Sequence, residues 1–375
     1  MRILNIVQCT NLGGMERSTL LSMIGLQARG HECRLLSLNP LGPLAPELQA
    51  HGIPAIGLPY RGRGGWRSLP LVRRTLRSIQ TDAVIMHGQN LGAMLALGDQ
   101  CSGRRVLCQY YHHTGVKPPW QWRLIYRLAA RRFNAITFPS DFVRLEAEAL
   151  CPRIRPLSST LRDPFLLARP VSAAERACAR AELGVPLDAA VVGNAGWLIP
   201  RKRFDVFLRV AARVCSARPG TLFLIAGDGP ERNALRSLAA GLAIEGSVRW
   251  LGWQADLTPF YRSLDVLLFN SDWDAMARTP MEAMSHGVAV VASVRNGGIQ
   301  EMITGPEFGF LTGDHDEEWL ASRVVMLIDD AGLRERSGAA ARARLAAFSD
   351  AEAHTDRLLE LLDAGVPRPE AACAR

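Results

Sequence analysis

The stretch from Asp272 to Ser293, DWDAMARTPMEAMSHGVAVVAS, places two carboxylates, Asp274 and Glu282, eight residues apart with Arg278 and Thr279 between them. A carboxylate accepts two hydroxyl hydrogen bonds and so orients a polyol. Pro280 suits a helix's first turn, so the stretch is expected to be loop, helix and buried strand. That puts Glu282 near the positive end of the helix and Asp274 in the loop ahead. Asp272-x-Asp274 has the spacing of a divalent-metal motif. No third hard ligand lies nearby, and a cationic cluster elsewhere can neutralise a diphosphate, so no metal is expected.

That cluster is Arg201, Lys202 and Arg203 in NAGWLIPRKRFDVFL, where a strand ends and a helix is expected to begin. Three cations at a helix N-terminus oppose the local dipole unless an anion sits among them. The chain has only two lysines, Lys117 and Lys202, against 42 arginines, so a lysine here suggests that a compact ammonium is wanted. In LFLIAGDGPERNAL, Gly227 and Gly229 follow a strand and allow close backbone approach to a ligand. In NLGGMERSTL, Gly13 and Gly14 open a helix whose free N–H groups suit a phosphate or sugar oxygen, with a plain tight turn as the alternative. The full G-x-G-x-x-G fingerprint is absent, which disfavours NAD. His112 and His113 end a strand in VLCQYYHHTGVKPP, where alternation aims one of them at a cleft as a base or hydroxyl partner. His87, ending AVIMH, is a candidate for an acceptor pocket, balanced against a structural role.

The elements that must position these residues alternate short β-branched runs with longer helical patterns, the signature of parallel sheets covered by helices. The first half offers the strands RILNIVQ, ECRLLSL, IPAIGL, AVIMH, RVLCQYY and AITF; the second offers AAVVGNAG, LFLIAG, SVRWLG and VLLFN. Helices are expected over about Glu16–Arg29, Leu69–Ile79, Trp120–Arg132, Phe204–Ala217, Glu231–Leu242 and Glu317–Phe348, with a last one over Asp350–Leu362. CPRIRPLSSTLRDPFLLARPVSAAER shows neither period, which places a linker near Asp163–Pro170. Two Rossmann-like domains are therefore expected, 1–165 and 166–349, with 350–375 a final helix and frayed tail. Ligands in such sheets bind beyond the carboxyl ends of the strands.

A chain of 375 residues, 48% hydrophobic, fits two cores better than one. The eight cysteines are scattered without a Cys-x-x-Cys pair and read as reduced thiols. No apolar run approaches the roughly 18–20 residues that cross a bilayer, and MRILNIVQCTNLGG is too short in apolar residues for a secretory signal. A cytoplasmic location is expected. The net charge of +8 is uneven: residues 1–150 hold 18 Lys+Arg against 8 Asp+Glu. A nucleic acid or an acidic membrane would suit that half. YRGRGGWRSLPLVRRTLRSI gathers Arg61, Arg63, Arg67, Arg73, Arg74 and Arg77 with Trp66, Leu71 and Val72. Alone it suits a solvated helix face, but together with the basic first half it favours an anionic membrane surface, and no nucleic acid is expected.

In order along the chain, GGMER, GWLIPRKRFDVFL, LIAGDGPERNAL, VRWLGW, DVLLFNSDWDAMARTPMEAMSHGVAVVAS and NGGIQEMI resemble a retaining glycosyltransferase of family 4, over nearly the whole chain. The resemblance implies the GT-B fold: α/β, two Rossmann-like domains facing each other across a cleft, with a C-terminal helix crossing back. It implies that Asp274 approaches the donor sugar hydroxyls, that Glu282 holds the ribose, and that Lys202 lies on the donor diphosphate. His112 or His113 then faces the acceptor and the donor sugar, and Gly13, Gly14 and His87 fall on the acceptor side. Three positions depart from the family. Trp197 replaces the usual arginine, leaving that charge to Arg201 or Arg203; Asp274 stands where Glu is usual; and Ala275-Met276-Ala277 replaces a glycine-bearing tripeptide. Arg278 and Thr279 are expected to compensate by contacting the donor.

The implied activity is metal-independent, retaining transfer of a sugar from a nucleotide diphosphate sugar to an acceptor hydroxyl on a lipid-linked or surface glycan, as in lipopolysaccharide or other polysaccharide biosynthesis. No cofactor is needed beyond the nucleotide sugar as co-substrate. The expected place is the inner face of the plasma membrane. A non-catalytic subunit binding a nucleotide sugar or glycan is the alternative, favoured by Trp197 and the lost glycines. An epimerase ranks last, because the two carboxylates it needs already fit donor binding.

Overall fold

A computed structural model describes residues 1–11, 13–59, 69–97, 104–109 and 117–364. The chain forms two compact units, Met1–Phe165 with Ser349–Arg375, and Leu166–Phe348. In the first unit the strands are β1 (Arg2–Val7), β2 (Glu32–Ser37), β3 (Ala55–Gly57), β4 (Ala83–His87), β5 (Arg104–Cys108), β6 (Ala135–Phe138) and β7 (Ser158–Thr160). All pair in parallel in the order β3-β2-β1-β4-β5-β6-β7, with Ile3 beside both Cys33 and Ala83. Helices α1 (Gly14–Ala28), α2 (Ala45–Ala50), α3 (Leu69–Ser78), α4 (Leu91–Leu97), α5 (Pro119–Arg132) and α6 (Asp141–Leu150) connect them.

The second unit holds β8 (Val191–Ala195), β9 (Leu222–Ala226), β10 (Val248–Gly252), β11 (Val266–Asp274), β12 (Ala289–Gly297) and β13 (Phe310–Thr312), parallel in the order β10-β9-β8-β11-β12-β13. Its helices are α7 (Ala173–Glu182), α8 (Phe204–Ala217), α9 (Arg232–Gly241), α10 (Thr258–Ser263), α11 (Arg278–Ser285), α12 (Ile299–Met302), α13 (Glu317–Asp329) and α14 (Ala331–Phe348). Central strands are buried from end to end, β4 and β8 entirely, because helices cover both faces of a parallel sheet. That is why those strands read as continuous apolar runs. Both units are Rossmann-like, as the alternation of short strands and helices indicates.

The last helix, α15 (Ala351–Asp363), is part of the first unit. Leu358 and Leu362 enter the core of Ile3, Met23, Leu26, Leu35 and Ile85. Arg29 pairs with Asp356 at 2.6 Å, and His354 bonds Ser22 Oγ at 2.9 Å and the Arg162 carbonyl at 2.8 Å.

Two segments differ from expectation. The aperiodic stretch after Cys151 contains a 3-10 turn, Pro152–Leu157, and then β7, which adds an edge strand. Three residues, Ser158-Ser159-Thr160, are too few to show alternation. Farther on, α7 begins at Ala173 behind a complete capping box, Ser172 with Glu175. Its weakly apolar sequence, AAERACARAE, hid a helix that the cap signal marks.

Candidate functional site

The candidate residues of the second unit gather at the carboxyl ends of β8, β9, β11 and β12. Asp274 is the last residue of β11 rather than part of a loop, as the sequence reading had it. NSDWD lacks β-branched residues and so resembles loop, but β12 extends equally far and pairs Trp273 with Asn296 and Asp274 with Gly297. Sheet pairing overrides local propensity here. The pairing is close: a Cβ on Gly297 would lie 2.3 Å from the Asp274 carbonyl oxygen.

Across from β11, Ile199 ends the loop after β8, and the PRK turn carries the cations. Lys202 Nζ contacts the Asp274 carboxylate, with both side chains mostly buried, and its ammonium lies 5.0 Å from the Phe269 ring centre. Arg201 donates to the Trp273 carbonyl at 2.7 Å and lies over its ring. Arg203 has left-handed backbone (φ 46°) at the start of α8 and bonds both oxygens of Asp205, each at 3.0 Å, and Asp272 at 3.2 Å. The three cations that oppose the α8 dipole are therefore balanced by Asp205, Asp272 and Asp274. Burial pushes the Asp205 carboxyl up, but hydrogen bonds from Arg203 and Arg209 prevail and hold it at about 2.

Behind this turn runs a polar chain that sequence reasoning missed. Asn270 Nδ2 donates to Ser293 Oγ at 2.8 Å, Ser293 Oγ meets His315 Nδ1 at 2.6 Å, and His315 Nε2 meets Asp272 Oδ1 at 3.0 Å. A carboxylate only accepts, so Nε2 carries the proton and the serine hydroxyl donates to Nδ1. Burial lowers the His315 pKa, against the pull of Asp272, and keeps the ring neutral. No spacing in the sequence links these residues.

Helix α11 starts at Arg278 with no side-chain cap. Thr279 Oγ instead donates to the Ala195 carbonyl at 3.0 Å and ties the helix to the end of β8. Arg278 Nε lies 3.9 Å from Glu282 Oε1, one turn on. The phenol of Tyr261 is buried beside that carboxylate; burial first, then Glu282, raises its pKa well above the usual value. Ala275, Met276 and Ala277 are all buried between strand and helix.

Gly227 and Gly229 have a packing reason. A Cβ on Gly227, which has φ 139°, would lie 1.9 Å from the Gly196 carbonyl oxygen, and one on Gly229 would lie 2.5 Å from that of Leu198. The loops after β8 and β9 cross in backbone contact, bonded from Leu198 N to the Asp228 carbonyl at 3.0 Å. Trp197 stands out of this crossing, 72% exposed.

In the first unit Gly13 precedes α1, but the Glu16 carboxylate folds over it, 2.3 Å from where a Cβ would be, and accepts from Cys9 Sγ at 3.2 Å. The anion at the Gly13-Gly14 turn is thus the chain's own. His87 is only 2% exposed and bonds Asn5 Oδ1 through Nε2 at 2.9 Å; burial lowers its pKa to about 3. A buried neutral ring held in this way fits the structural one of the two roles. His112, His113, Arg61, Arg63, Trp66 and Arg67 lie outside the described residues. On α3, Arg73, Arg74 and Arg77 are exposed while Val72 and Leu76 are buried, so its apolar side faces the protein.

The family described as Glycosyl transferases group 1 matches residues 175–344, and Glycosyltransferase Family 4 matches residues 12–156. A lipopolysaccharide core biosynthesis glycosyltransferase, LpsE of Rhizobium meliloti, is 34% identical over 49% of this chain and 52% of its own. A D-inositol 3-phosphate glycosyltransferase of Stackebrandtia nassauensis is 32% identical over 54% of this chain and 49% of its own. The chain thus spans about half the length of the curated relatives it matches. Among solved structures, Anabaena Alr3699/HepE in complex with UDP superposes with a TM-score of 0.84 at 21% identity, covering 97% of this chain and 100% of that one. A glycosyltransferase from Rickettsia africae gives 0.77 at 18% identity, over 96% and 97% of the two chains. At such identities the likeness is one of fold.

Proposed function

Because the chain belongs to glycosyltransferase family 4, we propose that it moves a sugar from a nucleotide diphosphate sugar to an acceptor hydroxyl of a lipid-linked or surface glycan, with retention and without a metal or other cofactor. The observation that carries this reading is the contact of Lys202 with Asp274 at the carboxyl end of β11, just ahead of the helix that carries Glu282. An arriving diphosphate draws the ammonium from Asp274, since phosphate offers it more charge. Asp274 is then free to accept from the sugar hydroxyls while Glu282, steadied by Arg278 and Tyr261, accepts from the ribose. The bond between the anomeric carbon and the diphosphate oxygen breaks and the bond to the acceptor oxygen forms on the same face. The acceptor proton passes to the departing phosphate, so no protein nucleophile is needed. Lys202, with Arg201 beside it, stabilises the charge on that leaving group. His112 and His113 stay on the acceptor side by sequence alone.

The test is a thermal-shift screen of nucleotide diphosphate sugars, UDP-sugars first because the HepE structure holds UDP, followed by a turnover assay. A donor at 100 times its dissociation constant stabilises by about 2.7 kcal/mol. A shift followed by release of nucleoside diphosphate is expected. A shift without turnover on any acceptor would favour a binding subunit, the reading that buried Ala275-Met276-Ala277 and exposed Trp197 support. No shift with any donor defeats both.

Among the described residues no helix is long and apolar enough to cross a membrane. We place the membrane contact on α5 as well as on the cations of α3. The α5 helix has no acidic residue, and Trp120 and Leu124 are 62% and 50% exposed beside exposed Arg123, Arg127 and Arg131. These five share one face at helical spacing, while Trp122, Ile125, Tyr126 and Ala129 fill the opposite one. Cations around apolar anchors suit the cytoplasmic leaflet. Flotation with anionic vesicles at low salt is expected for the parent and is expected to be lost in Trp120→Ala/Leu124→Ala. If the parent stays at the bottom of the gradient, the contact is wrong.

A further inference from the structure

At the opposite pole of the Leu166–Phe348 sheet, beneath the starts of β11 and β12, a cavity of about 280 Å³ opens among α7, α10, the end of α11 and the start of α14. Its walls carry the guanidiniums of Arg176, Arg262 and Arg334. The inner carboxylate, Asp265, is already committed: its oxygens take Arg176 at 2.7 Å, Arg180 at 2.8 Å and Val191 N at 2.8 Å, with Arg334 Nε at 3.5 Å. Glu335, the other lining carboxylate, is exposed at the mouth. Arg262 has only a 3.5 Å ion pair with Glu175, which also holds Arg169 and the Ser172 cap. Its buried Nε has no hydrogen-bond partner. A buried donor left unmade is costly, and an acceptor entering the cavity removes the cost.

We propose that this cavity binds a small phosphate-bearing anion, inorganic phosphate or a sugar phosphate, gripped by Arg262 with Arg176 and Arg334. Guanidinium forks match phosphate oxygens in charge and geometry. The volume falls just below the roughly 300–1,000 Å³ of pockets for drug-sized ligands, which limits the guest to a small one. The cavity also reaches the other pole through two lining rings. His286 and Tyr261 stack at 5.5 Å; His286 Nδ1 donates to the Glu282 carbonyl at 2.8 Å, and the Tyr261 phenol lies beside the Glu282 carboxylate. Occupancy thus bears on the helix that carries Glu282. This coupling rests on the proposed donor role of Glu282, whereas the binding does not.

Inorganic phosphate and glucose 1-phosphate, each titrated against chloride at equal ionic strength, separate the possibilities. The parent should bind one or both, and which of them binds identifies the guest. Arg262→Ala should weaken binding about tenfold or more, the loss of one charged hydrogen bond, and Lys202→Ala should leave it unchanged. Arg262→Gln supplies the comparison if the alanine variant does not fold. Absence of binding to the parent overturns the site, as does binding that Lys202→Ala abolishes and Arg262→Ala spares, which would put the anion at the β11 rim. With a confirmed donor, saturating phosphate should shift the donor KM in the parent and not in Arg262→Ala; an unchanged KM with intact binding overturns the coupling alone.

Discussion

Lys202→Ala is expected to lower turnover by about two to three orders of magnitude, the usual cost of one preorganised donor to developing charge. The neighbouring cations cannot replace it. Arg201 is bound to the Trp273 carbonyl, and Arg203 is bound to Asp205 and Asp272. Lys202 has only the Asp274 carboxylate to leave when a diphosphate arrives. The substitution also strands that carboxylate in a mostly buried place, which costs some folding stability. Adding Asp274→Asn should therefore restore the unfolding midpoint without restoring turnover. Turnover within about threefold of the parent in the single variant would remove Lys202 from the leaving group.

The second large effect is acid sensitivity of the unit that contains α15. His354 and His87 are both buried, and burial lowers their pKa values to about 4 and about 3. An unfolded histidine takes up its proton near pH 6.5, so between there and the folded value the unfolded chain binds more protons and stability falls as pH falls. The stabilisation is complete above about pH 6.5 and drains away toward pH 4. For His354 the gap of some 2.5 units is worth roughly 3 kcal/mol, a large share of a domain's stability. His354→Gln should flatten the pH dependence of unfolding in that window by about one proton. Asp205 acts lower, its contribution fading only from about pH 4 toward 2, so the two can be told apart. An unchanged slope in His354→Gln would locate the acid sensitivity elsewhere.

The two-unit α/β architecture was legible because the buried parallel strands, such as AVIMH or VVGNA, are short apolar runs set between longer helical stretches. The family resemblance rested on ordered motifs spread along the chain. Features made by pairing between distant segments could not be read. The extension of β11 through Asp274 depends on β12, twenty-odd residues away. The β7 edge exists only because β6 is there to hold it. Polar side chains fared the same way. Nothing in LTGDHDEE points to Ser293 or Asp272, yet His315 joins them. His87 is a related case: Asn5 on the neighbouring strand holds its Nε2, a partner that no spacing in the sequence shows.

The chain from Asn270 through Ser293 and His315 to Asp272 has a direction. An amide that donates stands at one end and a carboxylate that accepts stands at the other, so a single tautomer of His315 satisfies every link. Its ring nitrogens thus form a built-in spectroscopic gauge: in ¹⁵N-enriched protein their chemical shifts register any change at the Arg203–Asp272 end. Whatever settles on the rim of β11 and disturbs that pair can be followed from inside the protein, without attaching a probe to the substrate.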